Sequence, residues 1–77
     1  MSDVIMYSTP SCPWCHKLKE FLNEKSIQFI DVDISDDMSK AQEMIKKSGE
    51  MGVPQIEIND KTIVGFNQEA IERALAL

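Results

Sequence analysis

Cys12-Pro13-Trp14-Cys15 holds the only two cysteines of the chain, and their spacing constrains the fold more than any other feature. Cysteines separated by two residues can close a local disulfide but cannot supply a framework that staples distant segments together. A chain of 77 residues is close to the size at which one core only just suffices, so it must fold by packing sheet against helix. The same pair can close and reopen, which makes electron exchange the first functional hypothesis.

The flanking sequence places the pair in a frame. Val4-Ile5-Met6-Tyr7 is a short apolar run rich in strand formers, ended by Ser8-Thr9-Pro10, and it predicts a buried strand. After the motif, Cys15, Leu18, Phe21 and Leu22 recur at helical spacing, with Lys17, Lys19, Glu20 and Asn23 between them. Cys12 therefore falls at a helix N-terminus, with Pro13 at or near the first helical position, where its missing N–H costs nothing. Free backbone N–H groups and the positive end of the helix dipole favour a thiolate there, and Lys17 and His16 add positive charge nearby. The reading that follows is directional: Cys12 attacks as the thiolate, and Cys15, one turn further in and shielded, resolves the mixed disulfide. Trp14, exposed beside the thiol, offers a flat apolar surface to a docking substrate. Inert core cysteines would have no reason to flank Pro-Trp at a strand-to-helix turn.

His16 completes the pattern C-x-x-C-H, which also serves covalent haem attachment. Against that alternative stand the strand-helix frame and the lack of an apolar targeting segment before the motif. Zinc is weaker still, because Cys12, Cys15 and His16 are three candidates with no second ligand pair, and no metal site is expected. The formal charge of −5 and a pI near 4.6 argue against nucleic acid and anionic membrane as partners. No stretch is long and apolar enough to span a membrane, so the chain is expected in the cytosol, as a monomer. Two cysteines in a reducing compartment are more often catalytic than structural.

The remainder reads as one domain over residues 1–77, without repeats or linkers. Residues 27–34 nearly alternate between apolar and polar and predict a second strand. The acidic cluster of Asp31, Asp33, Asp36 and Asp37 reads as a solvated strand end and turn. A second helix follows, with Ser39 and Gln42 as a capping box or a start one turn earlier at Asp36 or Asp37. Ala41, Met44 and Ile45 form its stripe, and Gly49 or Gly52 supplies its stop. Residues 54–58 and 62–64 pair as a hairpin around residues 59–61, and Asn67 caps a last helix whose stripe is Ala70, Ile71, Ala74 and Leu75. The order implies an α/β fold: a right-handed parallel crossover first, then a hairpin, giving a mixed four-stranded sheet with three helices on both faces.

Cys12-Pro13-Trp14-Cys15 after the first strand, Val53-Pro54 opening the third and Gly65 after the fourth together resemble the glutaredoxins of the thioredoxin superfamily. The resemblance covers nearly the whole chain and is nearest to the short bacterial glutaredoxin-like proteins, the YruB-type group and, more distantly, the NrdH redoxins. It implies a thioredoxin-like fold and a small thiol-disulfide oxidoreductase, with Cys12 as nucleophile and Cys15 as resolving thiol. It also implies that the bond before Pro54 is cis, setting the Val53 main chain beside Cys12 to pair with an extended substrate; the residues alone would equally allow a trans proline.

No bound cofactor is implied, and glutathione is a possible electron donor. The substrates are disulfide-containing proteins or glutathione mixed disulfides, and electrons come from glutathione or a flavoprotein reductase. Glutathione recognition departs from the family pattern in three places. Gly52 stands where a threonine is usual, Asn67 and Gln68 replace an acidic pair, and Ser8 and Thr9 replace a basic residue before the motif. What remains for a glutathione carboxylate is the set of N–H groups near Asn67 and Gln68, with Lys17 or Lys19 as attracting charges. A different class of reading makes Cys12 and Cys15 a non-enzymatic redox sensor that alters docking at Trp14 and Phe66.

Overall fold

Strand-forming runs and helical stripes take the predicted order in a computed structural model that describes residues 4–76. The elements are β1 (Val4–Ser8), α1 (Pro13–Glu24), β2 (Ile30–Asp33), α2 (Met38–Ser48), β3 (Gln55–Ile58), β4 (Lys61–Val64) and α3 (Gln68–Leu75). The four strands form one mixed sheet in the order β2-β1-β3-β4. β1 runs parallel to β2, with Ile5 opposite Ile30 and Ser8 opposite Asp33. It runs antiparallel to β3, with Val4 opposite Ile58 and Tyr7 opposite Gln55. An internal strand covered on both faces needs apolar residues on both, which is why Val4 to Tyr7 is a continuous apolar run rather than an alternating one.

The pleat divides that run between two layers. Val4 and Met6 lie beside Ile58 and Ile56 on one face, where Cys15, Leu18, Phe21 and Leu22 of α1 and Ile71 of α3 complete the core. Tyr7, Gln55 and Glu57 lie on the other face, under α2, whose Lys47 Nζ sits 3.2 Å from the Tyr7 hydroxyl and 2.7 Å from Glu57. Helices therefore flank both faces, as the element order implies. Among the described residues no helix is long and apolar enough to cross a membrane.

β2 is shorter than the alternating run of residues 27–34, and the reason lies at the end of α1. Ser26 takes φ +56°, its N–H donates to Asn23 O at 3.1 Å, and the N–H of Ile27 donates to Leu22 O at 2.9 Å. These two bonds form a Schellman closure, with a serine in the left-handed position usually held by glycine. Ile27 is thereby drawn into ending a helix, its side chain against the core, and cannot join the ladder. At α2 the cap is Asp37, not Ser39. The Asp37 carboxylate accepts from the N–H groups of Ser39 and Lys40 at 3.0 and 3.3 Å, and the Ser39 hydroxyl donates to it at 2.6 Å. An ionised acceptor at the positive end of a helix outcompetes a neutral hydroxyl, and these contacts, the hydroxyl first, hold the Asp37 carboxyl below its usual range.

Gly49, at φ +76°, ends α2, so Gly52 is left in the following loop. The β3–β4 turn contains only Asn59 and Asp60, because Lys61 already pairs with Ile58. Two more members of the acidic cluster are engaged rather than merely solvated, while Asp36 is exposed. Asp31 joins Lys19 at 2.7 Å and accepts the Ser8 hydroxyl at 2.7 Å, while Asp33 accepts from Ser35.

The Schellman closure yields a stability prediction. Ser26→Gly removes a left-handed strain of about 1–2 kcal/mol at an entropic cost of about 0.5–1 kcal/mol, so thermal unfolding should shift upward by a few degrees. An unchanged or lower midpoint would show that strain at Ser26 is not what limits this end of α1.

Candidate active site

The turn between β1 and α1 is built by its own backbone. The Cys12 N–H reaches Thr9 O at 3.4 Å, and Cys12 O accepts the first helical bond from the His16 N–H at 3.2 Å. Cys12 is the N-cap of α1 and Pro13 occupies the first helical position, as expected from the missing proline N–H. The Cys12 sulfur takes the place a serine or aspartate oxygen would fill in an ordinary cap: its Sγ accepts the Cys15 N–H at 3.2 Å. A sulfur in this position meets both a main-chain donor and the positive end of the helix dipole.

The two thiols have different surroundings. Cys12 is half-buried, whereas Cys15 is 0 % exposed, packed between α1 and the sheet; both are free cysteines. Burial first, and then the hydrogen bond with Cys12, push the Cys15 thiol from its ordinary 9.0 up to about 11, against the opposing pull of a Thr9 main-chain hydrogen bond and the Lys19 charge. Lys19 lies one turn beyond Cys15 on the same helix, fixed by its ion pair with Asp31.

The third strand reaches the same place from the other side. Val53-Pro54 is cis, and the Val53 carbonyl lies 3.9 Å from Cys12 Sγ, within reach of a thiol donor. Pro54 is buried just before β3. The fold thus brings Cys12, Cys15, Val53 and Pro54 together. Trp14 stands at the rim, 57 % exposed, and Lys17 Nζ lies 4.6 Å from the centre of its ring, so this lysine covers the indole instead of extending freely into water. His16 Nε2 donates to Pro10 O at 2.9 Å, which engages one of its two ring nitrogens. Among the described residues no group of three or more His, Cys, Asp or Glu is placed to hold a metal ion.

Asn67 and Gln68 are set differently from the cysteine turn. Asn67 Oδ1 accepts the Ala70 N–H at 3.2 Å and so occupies one of the α3 donors that a carboxylate would need. Gln68 is the exposed first residue of α3, and Glu69 adds a negative charge in that same turn. Phe66 packs against Phe21, ring centres 5.7 Å apart, and is therefore part of the core margin rather than a free docking ring. A cavity of about 1050 Å³ lies at the opposite end of β1, lined by Val4, Phe29 and Ile30 among others, far from both sulfurs. The residue that pattern reading missed is Gln55: a polar side chain in a strand alternation gives no signal of a site, yet it is 0 % exposed and braces the loop leading to Val53.

Comparison with known proteins shows the family and the fold. The glutaredoxin family model matches residues 4–63. A glutaredoxin-like 8.6 kDa protein of the rubredoxin operon of Clostridium pasteurianum is 49 % identical over 70 residues, covering 91 % of this chain and 93 % of that protein. Glutaredoxin 3 of Escherichia coli K12 is 40 % identical over 65 residues, 84 % of this chain and 78 % of its own length. Among solved structures, the glutaredoxin from Archaeoglobus fulgidus superimposes with a TM-score of 0.88 at 26 % identity, covering 97 % of this chain and 87 % of that one.

The shifted Cys15 thiol gives a pH test with a definite sign. At neutral pH iodoacetamide should label Cys12 and spare Cys15 in the folded protein, with Cys15 labelling rising about tenfold per pH unit toward about 11. Because the unfolded thiol ionises first, the stability held by the buried neutral form is complete below 9.0 and declines as the pH climbs toward about 11. Equal labelling of both thiols at pH 7 in the folded state, read by peptide mass mapping, contradicts the assignment.

Proposed function

The chain belongs to the glutaredoxin family of thiol-disulfide oxidoreductases, and we propose that it works as a dithiol electron carrier in which Cys12 attacks and Cys15 resolves. The observation that carries this reading is the asymmetry of the pair: a half-buried sulfur capping a helix, and a fully buried thiol one turn behind it.

The chemistry follows from that asymmetry. The Cys12 thiolate attacks one sulfur of a substrate disulfide, the S–S bond breaks, and the other substrate sulfur leaves as a thiolate that takes a proton from water. Meanwhile the Val53 main chain offers its polar groups to an extended substrate as a strand edge would, and Trp14 with Lys17 borders the approach. Once Cys12 is tied up in the mixed disulfide, its negative charge is gone. Two of the influences that hold the Cys15 proton, the hydrogen bond and the charge of Cys12, are then relieved, while Lys19 still favours the thiolate. Cys15 loses its proton and displaces the second substrate sulfur, closing the Cys12 to Cys15 disulfide. Two electrons have passed to the substrate.

An external donor must return them. Two glutathione thiols are chemically competent, as is a flavoprotein reductase acting on the closed disulfide. Gly52 offers no hydroxyl, Asn67 uses its oxygen on α3, and Glu69 opposes a carboxylate there, so contacts for glutathione are few. We place the activity in the cytosol, where a free, adjacent cysteine pair can be kept reduced.

The decisive experiment compares variants in a coupled assay with a model disulfide. Cys12→Ser should abolish turnover, and Cys15→Ser should accumulate a mixed disulfide seen by mass spectrometry; full dithiol activity in the Cys12 variant sinks the assignment. Repeated turnover by the unaltered chain separates a carrier from a redox sensor, which would react once and stop. Running the assay with glutathione and its reductase, and separately with a thioredoxin-reductase system, identifies the donor by the faster rate.

A further inference from the structure

Residues 49–53, the part of the α2–β3 connection that leads up to the buried Pro54, have few side chains of their own to hold them in place. Gly49 and Gly52 carry no side chains, and Met51 is 77 % exposed. Yet this loop ends at Val53, whose carbonyl faces the Cys12 sulfur. A main chain that is to align with a substrate must keep its carbonyl and N–H directions fixed, and two glycines in five residues work against that.

Gln55 supplies the missing constraint. It is the first residue of β3, opposite Tyr7 in the register, and is 0 % exposed. Its Nε2 donates to Glu50 O at 2.9 Å and to Gly52 O at 2.8 Å, so one amide group ties two carbonyls of the loop to the sheet. Ser48 closes the other end: its hydroxyl oxygen accepts the Glu50 N–H at 3.0 Å, and its single proton lies between Met44 O at 3.1 Å and Glu50 O at 3.2 Å. The geometry is a brace with both donors of Gln55 in use, while its Oε1 is buried without a hydrogen-bond partner among the described residues. An apolar side chain of similar volume would leave no orphaned acceptor, so packing alone does not call for an amide here. The two donors aimed at alternate carbonyls do.

We propose that Gln55 is a positioning residue that fixes the Val53 main chain as a template for extended disulfide substrates, and so sets the preference of the site for peptide disulfides over small ones. The inference rests on the reading above, in which Cys12 attacks and Val53 pairs with the substrate. Its signature is selectivity. Reaction of Cys12 with a small reagent that makes no main-chain pairing with Val53 is little affected by the alignment of the loop, whereas reaction with an extended peptide disulfide depends on it.

The test compares the unaltered protein with Gln55→Met, which keeps the volume and removes the donors together with the orphaned acceptor. With the loop untied, kcat/KM for a ten-residue peptide containing a mixed disulfide should fall about tenfold, mainly through KM, as the loss of two ordering hydrogen bonds implies. Cys12 alkylation by iodoacetamide and reduction of hydroxyethyl disulfide should change by less than about twofold, because neither needs the template. Amide hydrogen exchange over residues 50–53 should accelerate while exchange in β1 and the thermal midpoint stay in place. Equal losses on the peptide and on the two small reagents overturn the proposal, since that pattern marks a general disturbance of the site. No loss on the peptide overturns it as well. Failure of the underlying reading shows separately: an unaltered protein that reduces the peptide no faster than hydroxyethyl disulfide uses no template at Val53, whatever Gln55 does.

Discussion

β1 is hydrogen-bonded on both edges and covered on both faces, and that double burial determines where everything else can go. A strand paired in parallel with its successor needs a crossover, and α1 is that crossover, so its N-terminus must begin where β1 ends. The antiparallel neighbour β3 must enter the sheet at that same end. With Gln55 opposite Tyr7, the chain just before β3 lies level with the chain just after β1. The meeting of Val53 with Cys12 is thus a consequence of register, and a slip of one residue would turn Ile56 and Ile58 out of the core as well as separate the two.

Within this frame, two chemically identical side chains acquire different properties from position alone. Cys12 sits where the helix leaves main-chain donors without partners, and Cys15 sits three residues later, on the face that packs against the sheet. Burial acts against the charged form of Cys15, and the charge of Lys19 acts for it. The ion pair of Lys19 with Asp31, itself held by the Ser8 hydroxyl, anchors that charge between α1 and β2. What looks along the sequence like scattered surface polarity is therefore arranged around the less accessible of the two sulfurs.

The sequence makes some of this legible and hides the rest for definable reasons. Element order, the parallel crossover, the Cys12 cap and the Pro13 position follow from periodicity and from proline stereochemistry, both of which are local. The late start of β2 is invisible because Ser26 adopts a conformation for which glycine is the usual marker and so draws Ile27 into the helix end. The choice of Asp37 over Ser39 depends on which of two neighbouring acceptors starts the helix, Asp37 through the Ser39 and Lys40 N–H groups or Ser39 through those two residues further on, which a motif cannot rank. Gln55 escapes notice because its partners are main-chain carbonyls, and carbonyls have no letter in a sequence. The engagement of Asn67 in capping α3 was predictable, but its cost to a carboxylate ligand appears only once the Ala70 N–H is seen to be occupied.

The sulfur that caps α1 also links two quantities that are usually treated apart. Under the proposed mechanism each bond made or broken at Cys12 changes the charge on the acceptor of the Cys15 N–H, so the redox state and the order of the first helical turn are thermodynamically conjugate. A partner that binds that turn more tightly when Cys12 is a thiolate favours the reduced form, and one that binds it more tightly when Cys12 is in a disulfide favours oxidation. By the same reciprocity, a protein that grips the tip of α1 would adjust the electron affinity of the pair without touching either sulfur.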